Sequence, residues 1–160
     1  MTPKSPSESL TETVQYVLPN DANPLGFILG GTVMHLIDIA GAIAAARHAR
    51  VPIVTAAVDD LQFLHPIRVG DLIILRARVN AVFRTSLEVE VEVFSEQTLT
   101  GERQLTSRAY LTFVTVEDGG VRAPVPPLRL ETLEEESRAA QAAVRRQERL
   151  KRRTETGGMG

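Results

Sequence analysis

The sequence predicts an α+β fold in which a curved antiparallel sheet wraps around one long helix. A run of apolar and small residues extends from about Gly31 to Arg50, and Pro52 closes it, which indicates the helix. Runs that alternate apolar and polar residues follow it, separated by short turns, which is typical of antiparallel strands. With 160 residues, 43% of them hydrophobic, the chain is large enough for one globular domain.

Each element of this fold has its own pattern. The helix is apolar on nearly all sides, so we expect it to be covered on most of them. The run from Leu87 to Phe94 carries its glutamates on one face, so that face meets water or a charged partner. The predicted strands are Thr13 to Leu18, Ile53 to Asp59, Leu72 to Val82, Leu87 to Phe94, and Gln104 to Val116.

Both ends of the chain are predicted to lie outside the domain. Residues 1–11 are polar and contain prolines, so we expect a flexible tail. Residues 12–128 form the domain and end in an extended, proline-rich connector. Residues 129–160 are predicted to be a charged C-terminal helix and tail. The helix, from Glu131 to Arg153, has acids early and bases late, which complements the helix dipole.

Composition and charge exclude several classes of protein. The chain has no cysteine, so disulfides, thiolate catalysis and cysteine-bound zinc are ruled out. The net charge is −2 and the basic C-terminal residues lack interleaved aromatics, so no nucleic-acid partner is expected. The N-terminus has no apolar signal segment, so we expect a cytoplasmic location. Residues 25–46 are long enough for a membrane span, but Asp38 and His35 favour a buried core helix instead.

Asp38 is the most informative residue for function. It stands inside the apolar helix, where an unpaired carboxylate is costly to bury, so we expect it to be paired or used in chemistry. Such a carboxylate can act as a general base or a nucleophile. His35 shares its helical face, so a His–Asp couple is possible. Gly30 and Gly31 open the helix, where free N–H groups can hold an oxyanion.

Other chemistries have weaker support in the sequence. No serine stands in a Gly-x-Ser-x-Gly elbow, and the phosphate-binding and dinucleotide-binding glycine motifs are missing. The residues His35, Asp38, His48 and His65 do not have a recognised zinc spacing. We therefore expect neither a metal nor a cofactor.

A longer pattern resembles a known family. Residues 21–31 read DANPLGFILGG, and Asp38 follows them. This is similar to the Asp-x-Asn-x-x-Gly-x-x-x-Gly-Gly … Asp signature of hot-dog-fold acyl-CoA thioesterases, in the branch of the brain-type cytosolic acyl-CoA hydrolase and its small bacterial relatives. The likeness continues in residues 54–59, 63–71 and 84–89. The resemblance implies a hot-dog fold, with its curved sheet wrapped around the helix.

The same resemblance implies hydrolysis of acyl-CoA to a free fatty acid and CoA. Asp38 would be the general base or nucleophile. Asn23, from the partner subunit, would orient the water or the carbonyl, and the N–H of Gly31 would polarise the thioester oxygen. The implied substrate-binding residues are Gly30, His35, Asp59, Arg84, Thr85 and Ser86. The family likeness also implies a dimer, and a hexamer built as a trimer of dimers.

Two other functions remain open at this point. An enoyl-CoA hydratase on the same fold would need a paired aspartate and histidine, which His35 fits poorly. A non-catalytic acyl-CoA-binding module or sensor would share the fold without turnover. The sequence does not predict the acyl-chain length.

Overall fold

The predicted α+β architecture is confirmed. The structure, a computed structural model, describes residues 1–157. Its strands are β1 (Thr11–Tyr16), β2 (Ile53–Phe63), β3 (Leu72–Phe83), β4 (Ser86–Glu96), β5 (Arg103–Thr115), β6 (Glu117–Asp118) and β7 (Val121–Arg122), and its α-helices are α1 (Gly30–Ala49) and α2 (Leu133–Gly157). The first five strands form one antiparallel sheet in the order β1-β3-β4-β5-β2. Strand β2 is therefore an edge strand.

The core lies between α1 and one face of the sheet. Alternate residues of β4 and β5 point toward the helix and are fully buried, among them Val91 and Phe113. Each large apolar side chain buried there stabilises the fold by roughly 1.5–3 kcal/mol. The helix lies close to the sheet at Gly41, where an added Cβ would lie 3.3 Å from the ring of Phe113. Small residues on this side of α1 allow the close packing.

Helix α1 is covered on one side only within the single chain. Met34 and Ile39 are 47% and 42% exposed, and Asp38 is exposed as well. The expectations of a helix covered on most sides and of a buried Asp38 are wrong for one chain. The apolar pattern indicates that a surface is to be covered, but it does not say whether the same chain covers it.

The N-terminal residues are more ordered than the predicted tail. Lys4 forms a parallel bridge with Leu128 of the connector, and its Nζ donates to the carbonyl oxygen of His48 at 2.8 Å. This bond satisfies one of the free carbonyls at the end of α1. Ser5 and Ser9 are buried. The first residues therefore pack against the connector before β1 begins.

Helix α2 lies on the opposite face of the sheet from α1. Arg145 pairs with Glu88 at 2.8 Å, and Arg138 approaches Glu90 at 3.8 Å. Ala142, between these two arginines on the same helical face, is buried. The glutamate row of β4 thus meets a charged partner from its own chain. Of the helices within residues 1–157, neither combines the length and the apolar character that crossing a bilayer requires.

Candidate active site

Asp38 is held at the surface of α1 by a residue of the edge strand. Thr55 Oγ1 donates a hydrogen bond to Asp38 Oδ1 at 2.7 Å. This short, charge-assisted bond fixes the carboxylate while the side chain stays open to solvent. His35 lies exposed one helical turn earlier, and no hydrogen bond joins it to Asp38 in the part of the chain that the structure describes. The His–Asp couple is therefore not formed.

A β-bulge in β2 directs the side chain of Thr55 toward helix α1. Thr55 pairs with Phe113, whose ring faces the core, whereas Ala57 pairs with Thr112 on the outer face. The register shift between these pairs inserts Ala56 as an extra residue in β2. Bulges of this kind occur next to active sites, where they redirect a side chain. Here the bulge brings the hydroxyl group of Thr55 to the face where Asp38 lies.

Asn23 occupies a tight turn before the helix. Its Oδ1 accepts hydrogen bonds from the backbone N–H groups of Leu25, at 3.0 Å, and Phe27, at 3.2 Å. These bonds fix the orientation of the side chain and leave its amide nitrogen to donate to a ligand. Asn23 and Gly30 both line a cavity of about 320 Å³. The end of β2, at Phe63, closes another side of this cavity.

The start of α1 offers unused hydrogen-bond donors. The N–H groups of Thr32 and Val33 both donate to the carbonyl oxygen of Leu29, at 3.0 and 3.1 Å. Within residues 1–157, the N–H groups of Gly30 and Gly31 have no acceptor. An added Cβ at Gly31 would meet nothing within 4 Å, so the space beside this residue is open. The helix start can therefore bind an anionic oxygen.

Within one chain, these features form two separate half-sites. One half-site contains Asp38 and Thr55, and the other contains Asn23 and the start of α1. Asp38 lies eight residues beyond Gly30, about 12 Å along the helix axis. Thr55 is near the beginning of β2, whereas the cavity of Asn23 and Gly30 is at the other end of that strand. Within the described residues, one chain thus does not bring Asp38 and Asn23 into one cavity.

Four other residues predicted to bind substrate lie away from both half-sites. Asp59 faces α2 on the outer side of the sheet and pairs with Arg149 at 3.0 Å. Its direction depends on the bulge at Ala56, which the sequence does not reveal. The remaining three are Arg84, Thr85 and Ser86, at the turn between β3 and β4. That turn is tied to the end of β5, which pairs with the first residue of β2.

The structure brings no three potential metal ligands together within residues 1–157. His48 is fully buried, and its Nε2 donates to the carbonyl oxygen of Pro126 at 2.8 Å. Burial lowers the pKa of His48, so this imidazole is held neutral. It serves the packing of the connector rather than a metal.

Thr55, whose hydroxyl group bonds to Asp38, is a candidate site residue that sequence reasoning missed. It stands in a short strand between apolar residues, and a threonine there is ordinary. A β-bulge has no local sequence signal strong enough to predict which face it occupies.

Known proteins share this fold. The sequence model of the Thioesterase superfamily matches residues 25–102. The chain is 40% identical over 146 residues to YkhA of Bacillus subtilis, an uncharacterized acyl-CoA thioester hydrolase, covering 91% of this chain and 84% of that protein. It is 35% identical over 138 residues to the human cytosolic acyl coenzyme A thioester hydrolase. That alignment covers 85% of this chain but 36% of the human protein, so the chain spans about a third of this longer relative.

Solved structures of other proteins match the fold of this chain over nearly its whole length. An acyl-CoA hydrolase of Staphylococcus aureus, in complex with butyryl coenzyme A and coenzyme A, has a TM-score of 0.89 and 35% identity, covering 98% of this chain and 95% of that one. A hexameric acyl-CoA thioesterase has a TM-score of 0.89 and 39% identity, covering 95% and 97%. The fold and these relatives thus define a hot-dog thioesterase. The chain belongs to the thioesterase superfamily, among its acyl-CoA thioester hydrolases, and is an enzyme of that class.

Proposed function

We propose that this chain hydrolyses acyl-CoA to a free fatty acid and CoA at a site that two copies complete. Asp38 of one copy and Asn23 with Gly31 of the other would form each site. The observation that carries the proposal is the exposed Asp38 carboxylate, oriented by Thr55 at 2.7 Å yet separated from the helix start that can bind an oxyanion.

The free edge of β2 supports the contribution of a second copy. Every residue of this strand is at least partly exposed, and its apolar side chains include Val58, 45% exposed, and Phe63, 53% exposed. An unpaired edge with apolar side chains is a template for pairing with another strand. Two β2 strands joined antiparallel about their middle would bring the Thr55 end of one copy beside the Phe63 end of the other. Asp38 would then face the partner subunit's Asn23.

The chemistry follows from these groups. With Asp38 as a general base, its carboxylate takes a proton from water while the water oxygen adds to the thioester carbon. The carbonyl oxygen becomes an oxyanion, which the N–H of Gly31 and the amide of Asn23 stabilise. Collapse of this intermediate breaks the C–S bond, and the CoA thiolate leaves and takes up a proton. A thiolate is a good leaving group, so a serine nucleophile is not needed.

Asp38 can alternatively attack as a nucleophile. The carboxylate then forms a mixed anhydride with the acyl group and expels the thiolate, and water cleaves the anhydride. The exposure of Asp38 is compatible with either route.

The relatives support these roles. Structures of the Staphylococcus aureus hydrolase include variants in which an asparagine, an aspartate or a threonine is replaced by alanine. These three residues have the same spacing in that protein as Asn23, Asp38 and Thr55 have here. The hexameric relative supports assembly as a hexamer, which we propose is a trimer of dimers, and the human cytosolic relative supports a cytoplasmic location.

Release of free thiol from a panel of acyl-CoA chain lengths tests the proposal. Asp38→Ala is expected to lower kcat by about 10²–10⁴-fold, because the proton acceptor or nucleophile is lost. Glu12→Ala, an exposed acid on β1, is the matched control. An active Asp38→Ala enzyme would contradict the mechanism. If the wild type binds acyl-CoA without turnover, a binding module is favoured. If it removes the enoyl absorbance of an enoyl-CoA substrate, a hydratase is favoured.

A further inference from the structure

The C-terminal part of α2 is fastened to the strand that carries Thr55. Arg149 Nη1 lies 3.0 Å from Asp59 Oδ2, and the two side chains are only 16% and 13% exposed. Arg152 approaches the other oxygen of Asp59 at 3.5 Å. A largely buried ion pair therefore attaches the helix to β2 at Asp59, four residues after Thr55.

Strand β2 needs such a contact more than its neighbours do. It lies at the edge of the sheet, pairs with β5 alone among residues 1–157 and has no fully buried residue. It carries a second register shift between Asp59 and Gln62, and Asp60 has a left-handed φ of 51°. Register is weakly specified where neither face of a strand is buried, and a slip of one residue turns each side chain to the other face.

The ion pair and the Thr55 hydrogen bond lie on opposite faces of β2. In a regular strand, Thr55 and Asp59 would point to the same face because side chains alternate with a period of two. The extra residue at Ala56 breaks this alternation. Thr55 can therefore meet Asp38 while Asp59 meets Arg149 only if the bulge is kept.

We propose that Arg149 is a positioning residue for hydrolysis: its ion pair with Asp59 maintains the bulge at Ala56 and so keeps the Thr55 hydroxyl on Asp38. This inference rests on the proposed role of Asp38. Arg149 contacts neither the substrate nor the reacting atoms. It acts from the outer face of the sheet on the geometry of the inner face.

Steady-state hydrolysis by variants of α2 tests this role. Arg149→Ala is expected to lower kcat on the order of tenfold with little change in KM, because a misplaced catalytic group affects the transition state more than substrate binding. Arg149→Lys keeps the charge and is expected to restore part of kcat. Arg153→Ala, at an exposed position of the same helix, is the control and is expected to behave as the wild type. Wild-type kcat in Arg149→Ala would overturn the proposal.

A double-mutant cycle with Thr55 separates positioning from general stability. If Arg149 acts through Thr55, Arg149→Ala should lower kcat only slightly further in a Thr55→Ala background. An undiminished further loss in that background would mean that Arg149 acts by another route, and the inference would be wrong.

Amide hydrogen exchange reports on the strand without relying on turnover. Residues 54–58 are expected to exchange faster in Arg149→Ala and in Asp59→Asn, and at the wild-type rate in Arg153→Ala. Unchanged exchange in the first two variants would overturn the proposed effect of the ion pair on β2. An active Asp38→Ala enzyme would instead defeat the proposed function, while an inactive one alongside a fully active Arg149→Ala enzyme would defeat this inference alone.

Discussion

Arg145 and Glu88 form a two-point ion pair that joins α2 to the centre of the sheet. Arg145 Nε lies 2.8 Å from Glu88 Oε1, and Nη2 lies 2.9 Å from Oε2. The guanidinium group also stacks 3.7 Å from the centre of the Tyr110 ring. Glu88 is 1% exposed and accepts a further hydrogen bond from Asn80 at 3.0 Å. The pair thus satisfies a carboxylate that the sheet buries completely.

Removal of Arg145 alone is predicted to destabilise the protein strongly. Arg145→Met leaves the buried Glu88 charge without its partner, and we expect a loss of about 3–5 kcal/mol in the free energy of unfolding. The double variant Arg145→Met with Glu88→Met is expected to lose less, because no buried charge remains unpaired. Urea unfolding of the three proteins measures both values. Equal losses in the single and double variants would contradict this account.

Glu90 is predicted to make stability fall as the pH rises. Burial, reinforced by the nearby Glu92 carboxylate, raises the pKa of Glu90 above 4.5, although Arg78 and Arg108 oppose the shift. The folded protein therefore binds more protons at this site than the unfolded chain between pH 4.5 and the raised pKa. The stability of the wild type relative to Glu90→Gln should decrease across that window. Urea unfolding as a function of pH measures the difference, with exposed Glu102→Gln as control. A difference that is flat with pH would contradict the prediction.

His48 is predicted to have the opposite pH dependence. Burial lowers its pKa below 6.5, so acid protonates His48 in the unfolded chain before it does so in the folded protein. Stability should therefore fall as the pH drops from 6.5 toward the lowered pKa. His48→Asn lacks this titration, whereas His65→Asn, at an exposed position, should keep the wild-type profile. Thermal unfolding midpoints between pH 5 and pH 7 compare the three proteins. Identical profiles for His48→Asn and the wild type would refute this role.

A site shared between two copies is predicted to be restored by mixing inactive subunits. Asn23→Ala and Asp38→Ala each disable every site in their own dimers. After subunit exchange, half of the dimers are mixed, and each mixed dimer holds one intact site, so about a quarter of wild-type activity should return. The unmixed variants, taken through the same exchange, are the controls. No recovery after proven exchange would argue for a site within one chain.

Periodicity predicts the fold well because it records which faces are buried. The alternation of β4 was predicted for residues 87–94 and is found in Ser86–Glu96. The helix predicted from Gly31 to Arg50 is found at Gly30–Ala49. Strand β2 continues to Phe63, past the predicted end at Asp59, because its bulges break the alternation.

The site is only partly predictable for a different reason. Asp38 and Gly31 stand out because a carboxylate and a glycine at a helix start are unusual in an apolar stretch, whereas Asn23 is identified through the resemblance to the family signature. Thr55 and Arg149 do not stand out in the sequence, because their proposed roles come from facing particular neighbours across a bulged strand. A sequence pattern gives the chemistry of a side chain but not its direction after an irregular residue.

Heating should strengthen the attachment of α2 to the sheet more than it strengthens that of α1. Helix α1 lies on an apolar layer that includes Val91 and Phe113, and such contacts weaken on cooling. Helix α2 is attached mainly through its arginines, and the penalty for dehydrating charged groups falls on heating. Hydrophobic stabilisation levels off on heating, so the ion pairs on the outer face of the sheet should gain more from warmth than the apolar contacts on its inner face. Strand β2 is held by one of these ion pairs, so its attachment should be among those that heating strengthens.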